Sequence, residues 1–176
     1  MPMTTLVLTV LGDDRAGLVS AVSAPLKANG ASWERSQMAR LAGKFAGIVE
    51  VSVASSSVDA LTADLEALSD HGLSVQVERT EKEPEVAPAG TPFTLDLIGA
   101  DRPGIVADIS ALLAGAGVSI EELTTEVREA PMAGGLLFEA HATLAAPAGA
   151  DEAALRSSLE QLADELMVDL TLATED

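Results

Sequence analysis

The chain contains a stretch of itself twice over. Residues 12–34 lie on residues 99–121 without a gap, and eleven of those 23 positions are identical. The shared positions include Gly12/Gly99, Asp14/Asp101, Arg15/Arg102 and Gly17/Gly104, and further on Gly30/Gly117, Ser32/Ser119 and Glu34/Glu121. A repeat displaced by 87 residues (12 to 99) in a chain of 176 leaves roughly 80 residues to each copy. Each copy is then large enough for a small core of its own but not for two. The chain is expected to be two like units in tandem.

Both copies read as the same order of elements. In the first, Leu6–Leu11 is an apolar run suited to a buried strand. Leu18, Val19, Val22 and Leu26 then share one helical face, which Asn29-Gly30 ends. Pro25 removes an amide donor inside that helix and is expected to bend it. Trp33–Leu41 and Phe45–Val53 follow as strands about a turn at Ala42-Gly43-Lys44. A helix over Val58–His71, stopped by Gly72, leads to an alternating strand over Leu73–Thr80. The second copy gives strand Phe93–Ile98 and a helix marked by Ile105, Val106, Ile109, Leu112 and Leu113. After it come strands Ile120–Glu129 and Leu136–Leu144, a helix over Ala150–Glu165 and a last strand over Met167–Ala173.

The expected fold class is α+β: two ferredoxin-like β-α-β-β-α-β units, each an antiparallel sheet with its helices on one face. The units span residues 1–80 and 92–176. Residues 81–91, proline-rich and charged without apolar periodicity, read as the linker. Sheet edges and helix-free faces need to be paired, covered or wet. Pairing of the two units is expected, and a homodimer of the whole chain stays open.

Composition narrows the function. The formal net charge is −18, with only ten basic residues and few of them beyond Lys82, so direct nucleic-acid binding is not expected. There is no cysteine to supply a disulfide, a thiolate metal site or a nucleophile. No apolar run approaches the roughly 20 residues that cross a bilayer, and no basic region precedes the first apolar run, so a cytoplasmic location is expected. His71 closes a helix, where the dipole favours a cation. His141 alternates with Glu139 and Thr143 on a polar strand face, too few ligands for a metal. Glu121-Glu122 and the acids of the linker read as solvated, and Gly134-Gly135 reads as a turn. No catalytic constellation and no cofactor signature emerges, so the chain is not expected to be an enzyme.

Chemistry concentrates in the repeated loops. Each turns from a strand into a helix, where the first amides lack intrahelical acceptors and carry a partial positive charge. A carboxylate docks at such an end. Asp14 and Asp101 could receive an ammonium, so that the loop holds both ends of an α-amino acid, or could cap the helix amides themselves. Arg15 and Arg102 could bridge to a neighbouring acid. Pro103 suits the first helical position.

Gly-x-Asp-Arg-x-Gly-[Leu/Ile]-Val after a first strand, a helix closed by Asn-Gly or Ala-Gly, and a strand opening Ser-[Trp/Ile]-Glu resemble the ACT domain. Two such units with a short linker resemble the glycine cleavage system transcriptional repressor family, and the likeness covers nearly the whole chain. The resemblance implies a regulatory module that holds a small amino acid, of the glycine or serine class, where two ACT units meet. It implies that the bound state is relayed to a protein partner in transcriptional control, not to DNA directly. Carried over position by position, it assigns ligand contacts to Asp14, Arg15, Ala16, Gly17 and Leu18, and to Asp101, Arg102, Pro103, Gly104 and Ile105. At the second strand it assigns Ser32 and Ser119, where many ligand-binding ACT domains carry the longer asparagine.

Overall fold

The computed structural model describes residues 1–80, 90–132 and 134–175. Most of the segment read as a linker therefore lies outside the described residues, and its last residue, Thr91, already opens a strand. The elements of the first copy are β1 (Met3–Asp13), α1 (Leu18–Ala28), β2 (Ser32–Leu41), β3 (Lys44–Ala54), α2 (Val58–Glu66) and β4 (Leu73–Thr80). Those of the second are β5 (Thr91–Ala100), α3 (Ile105–Gly115), β6 (Ser119–Glu129), β7 (Leu136–Ala146), α4 (Glu152–Leu166) and β8 (Val168–Thr174). They form two compact units. Each holds a four-stranded antiparallel sheet, in the order β2-β3-β1-β4 and β6-β7-β5-β8.

Alternation decides which sheet face is buried. In the first unit Leu6, Leu8 and Val10 of β1 and Val49, Val51 and Val53 of β3 are fully buried. Against them pack Leu18, Val22 and Leu26 of α1 and Val58, Leu61 and Leu65 of α2. The second core repeats the plan with Leu95, Leu97, Ile105, Ile109, Leu113, Leu155 and Leu159 around Phe93. Each such side chain contributes about 1.5–3 kcal/mol by leaving water. Both helices of a unit thus lie on one face, and the other face carries Thr, Val, Gln and acidic residues out to solvent.

The structure departs from the sequence reading at element ends. β1 does not stop at Leu11 but pairs with β3 through Gly12 and Asp13, so the loop proper shrinks to Asp14–Gly17. Likewise β5 runs through Gly99 and Ala100, leaving Asp101–Gly104. The helix read over Val58–His71 is α-helical only to Glu66 and tightens into a 3-10 turn over Ala67–His71. Met167, read as the start of a strand, is the left-handed cap of α4 at φ 54°. At the front of that helix the Asp151 carboxylate accepts the Ala154 amide at 3.0 Å. Pro25 sits inside α1, and its carbonyl accepts both the backbone amide and the side-chain amide of Asn29. A β-bulge, with its register shift between Trp33 and Arg35, recurs between Ile120 and Glu122, so the duplicated strands share this irregularity too.

Candidate functional site

The two loops are built on the same backbone. The Asp14 amide donates to the Gly43 carbonyl at 2.9 Å, and the Asp101 amide to the Leu136 carbonyl at 2.8 Å, so each aspartate is pinned to the adjoining hairpin. Gly17 and Gly104 are the N-cap residues, at φ 90° and 97°, a region that glycine enters without strain. An added Cβ would meet nothing within 4 Å at Gly17, and only an Asp108 carboxylate oxygen at 3.9 Å at Gly104. These glycines therefore serve backbone conformation in front of open space. Close approach belongs to Gly12 and Gly99 instead. A Cβ on Gly99 would lie 2.5 Å from Val168 Cγ1, and one on Gly12 would lie 3.0 Å from the Gly72 carbonyl oxygen.

The first backbone bond of each helix runs from Ala21 to Gly17 and from Asp108 to Gly104, both at 2.9 Å. The preceding amides, Leu18–Ser20 and Ile105–Ala107, have no acceptor among the described residues. Neither Asp14 nor Asp101 supplies one, because neither helix has a side-chain cap. The capping alternative fails for a geometric reason: the left-handed glycine stands between each aspartate and the helix amides.

Side chains separate the two loops. In the first, the Asp14 carboxylate meets the Arg40 guanidinium of β2 at 3.4 Å, and Arg15 donates to the His71 carbonyl at 2.5 Å. Arg15 thereby closes the 3-10 turn rather than bridging to an acid. In the second, the Asp101 carboxylate and the Arg102 guanidinium have no hydrogen bond or ion pair among the described residues. Strand register gives the reason. Arg40 faces Phe45, which faces Gly12; the matching row is Val127, Phe138 and Gly99. Valine thus stands where arginine would neutralise the aspartate. Likewise Gly72, after the carbonyl that Arg15 holds, has Met167 as its counterpart, since Leu73 and Val168 face Gly12 and Gly99.

Of the other residues assigned from sequence, Ala16 and Pro103 are exposed, whereas Leu18 and Ile105 are 4% and 2% exposed. The latter two anchor the helices in the cores and offer a ligand only their amides. Ser32 and Ser119 are exposed at the opposite end of the sheet. Ser32 faces Ser52, which faces Thr5, whereas the first loop leaves β1 beyond Asp13. That is about 25 Å along the strands. One unit therefore does not bring its own loop and its own serine together. The residue that sequence reading missed is Asp108, in the first turn of α3 beside Gly104. Its signal was the mismatch with Ala21 inside an otherwise matching repeat.

Nearby, Lys44 pairs with Asp13 and, by hydrogen bond first and charge second, holds that carboxyl below its ordinary value. No group of three or more potential ligands for a metal occurs among the described residues. None of the described helices is long and apolar enough to cross a membrane.

Comparison with known proteins bears on this geometry. The ACT domain matches the chain twice, over residues 4–78 and 91–172. The glycine cleavage system transcriptional repressor of Escherichia coli (strain K12) is 26% identical over 163 residues, which are 92% of this chain and 85% of that protein. The repressor of Shigella flexneri matches with the same figures. Among solved structures, the "Unknown Protein from Galdieria sulphuraria" superimposes with a TM-score of 0.84 at 32% identity, covering 99% of this chain and 100% of that one.

Proposed function

The chain belongs to the ACT-domain family, and we propose that within it the chain is an amino-acid-responsive regulator that senses through its second loop. The observation that carries this reading is the contrast between a first loop whose Asp14 and Arg15 side chains are held by Arg40 and the His71 carbonyl and a second whose Asp101 and Arg102 side chains are unengaged among the described residues. A small α-amino acid complements the second loop. Arg102 and the amides of Ile105–Ala107 would take its carboxylate, and Asp101 and Asp108 its ammonium. Gly104 leaves room for the Cα, and a glycine- or serine-sized side chain suits a loop walled by Pro103.

Because a loop and a second-strand serine lie at opposite ends of one sheet, a site using both needs two ACT units. The ligand then acts by favouring one arrangement of units over another, which requires different affinity for the two. We infer that the arrangement is read by a protein partner, in transcriptional control of glycine metabolism as the repressors' name suggests. A chain of net charge −18 is ill suited to contact DNA itself. A ligand-independent docking role is the second reading. It is favoured by the first loop, whose aspartate and arginine already serve the fold.

Thermal unfolding in the presence of each small amino acid tests the proposal. Glycine or serine at 100 times its dissociation constant adds about 2.7 kcal/mol of stability. Asp101→Ala removes that gain without lowering the melting temperature of the free protein. If millimolar amino acids leave the melting curve in place, the docking reading replaces this one.

A further inference from the structure

We propose that Asp108 makes the second loop demand an ammonium group, so that an amino acid is admitted and the hydroxy or keto acid of the same skeleton is turned away. The inference rests on the amino-acid reading of that loop and says what the loop rejects. Both copies offer a carboxylate the same reception, three helix amides without an acceptor among the described residues. Amides alone do not tell glycine from glycolate. The side chains around them do, and in the two copies their charge balance is opposite.

At the first loop Asp14 is met by Arg40 at 3.4 Å and Asp13 by Lys44, and Arg15 adds a further positive charge. At the second loop the carboxylates prevail. Val127 stands where Arg40 would answer Asp101. Asp108 stands where the first copy has Ala21. Glu129 faces Leu136, whose carbonyl holds the Asp101 amide. Arg102 is the one cation from Asp101 to Asp108, and Arg128, beside Glu129, is already held by Glu139. Within this field Asp108 has the decisive place. Its Oδ2 would lie 3.9 Å from a Cβ on Gly104, so the carboxylate points back to the residue that opens the helix. A ligand carboxylate on the amides of Ile105–Ala107 therefore meets a like charge close by. An ammonium on the adjoining carbon cancels that repulsion and adds charge-assisted hydrogen bonds. A hydroxyl or a carbonyl does neither. Asp101 recurs as Asp14, whereas the acid at position 108 has no copy.

Isothermal titration calorimetry of the full chain with glycine, serine and glycolate tests this. Glycine and glycolate differ only in ammonium against hydroxyl. The expected result is that glycolate binds about 100-fold more weakly than glycine. Asp108→Asn keeps the size of the side chain and removes its charge. Glycine affinity then falls about tenfold while glycolate affinity rises, so the ratio between them closes to below about tenfold. A folding defect would weaken both ligands together and leave their ratio alone. Glycolate binding as tightly as glycine, or a ratio that Asp108→Asn does not move, overturns the inference and leaves the amino-acid site standing. If neither glycine nor serine binds, that site and this inference fall together.

Discussion

In the first unit Asp14 faces Arg40 and Arg15 holds the His71 carbonyl, whereas in the second the side chains of Asp101 and Arg102, at the same loop positions, engage nothing among the described residues. The backbones match down to the left-handed glycine and the amide pinned to the hairpin. What separates the loops sits outside the motif, on other elements: Arg40 against Val127, Gly72 against Met167, Ala21 against Asp108. A duplicated motif thus fixes a scaffold, and its surroundings decide whether the charged groups serve the fold or stand free for a ligand.

The harshest test of the shared backbone is a β-branched residue at the N-cap. Gly17→Val and Gly104→Val each force a left-handed conformation and cost about 1–3 kcal/mol. In a unit of this size that lowers the melting temperature by several degrees, measurable by calorimetry. Equal losses confirm a shared scaffold, and amino-acid response disappears only in Gly104→Val. Next, Arg102→Ala weakens glycine or serine binding tenfold or more while leaving stability unchanged, as a charge-assisted contact to ligand requires. Arg15→Ala does the reverse: about 1 kcal/mol of stability is lost with the Arg15–His71 bond, and ligand affinity holds. Denaturant titration of the two variants side by side reads this crossing directly. A smaller effect comes from Arg40→Val, which copies the second unit's residue. Losing an exposed pair costs about 0–1 kcal/mol, and Asp14 becomes as open as Asp101.

The smallest effect lies in a pair that the second unit lacks, since Ala100 faces Leu137 where Asp13 faces Lys44. Lys44 lowers the Asp13 pKa, so the pair's contribution is present above the ordinary carboxylate value and is lost as pH falls through the lowered one. In Lys44→Met, carboxyl NMR follows the Asp13 titration as it moves up toward the ordinary carboxylate value.

Much of this was legible in the sequence because periodicity reports burial. The alternation of Leu6, Leu8 and Val10, and the helical spacing of Leu18, Val22 and Leu26, gave the strands, the helices and their order. The 87-residue shift exposed the two loops. Strand ends were less legible, since Gly12 and Asp13 look like turn residues and only pairing with Phe45 and Lys44 keeps them in β1. The roles of Asp14 and Arg15 were not legible at all. Their partners lie 26 and 56 residues away, and strand register, not local pattern, brings them together. The serines show the same limit. Ser32 and Asp14 belong to one family pattern but to opposite ends of one sheet.

Backbone amide NMR of the whole chain, titrated with glycine and with serine, tests the central claim most directly. The account predicts that the amides of Ile105, Val106 and Ala107 shift in a saturable way while those of Leu18, Val19 and Ser20 stay where they are. Saturable shifts confined to the first loop, equal shifts at both, or no shift at either would contradict it.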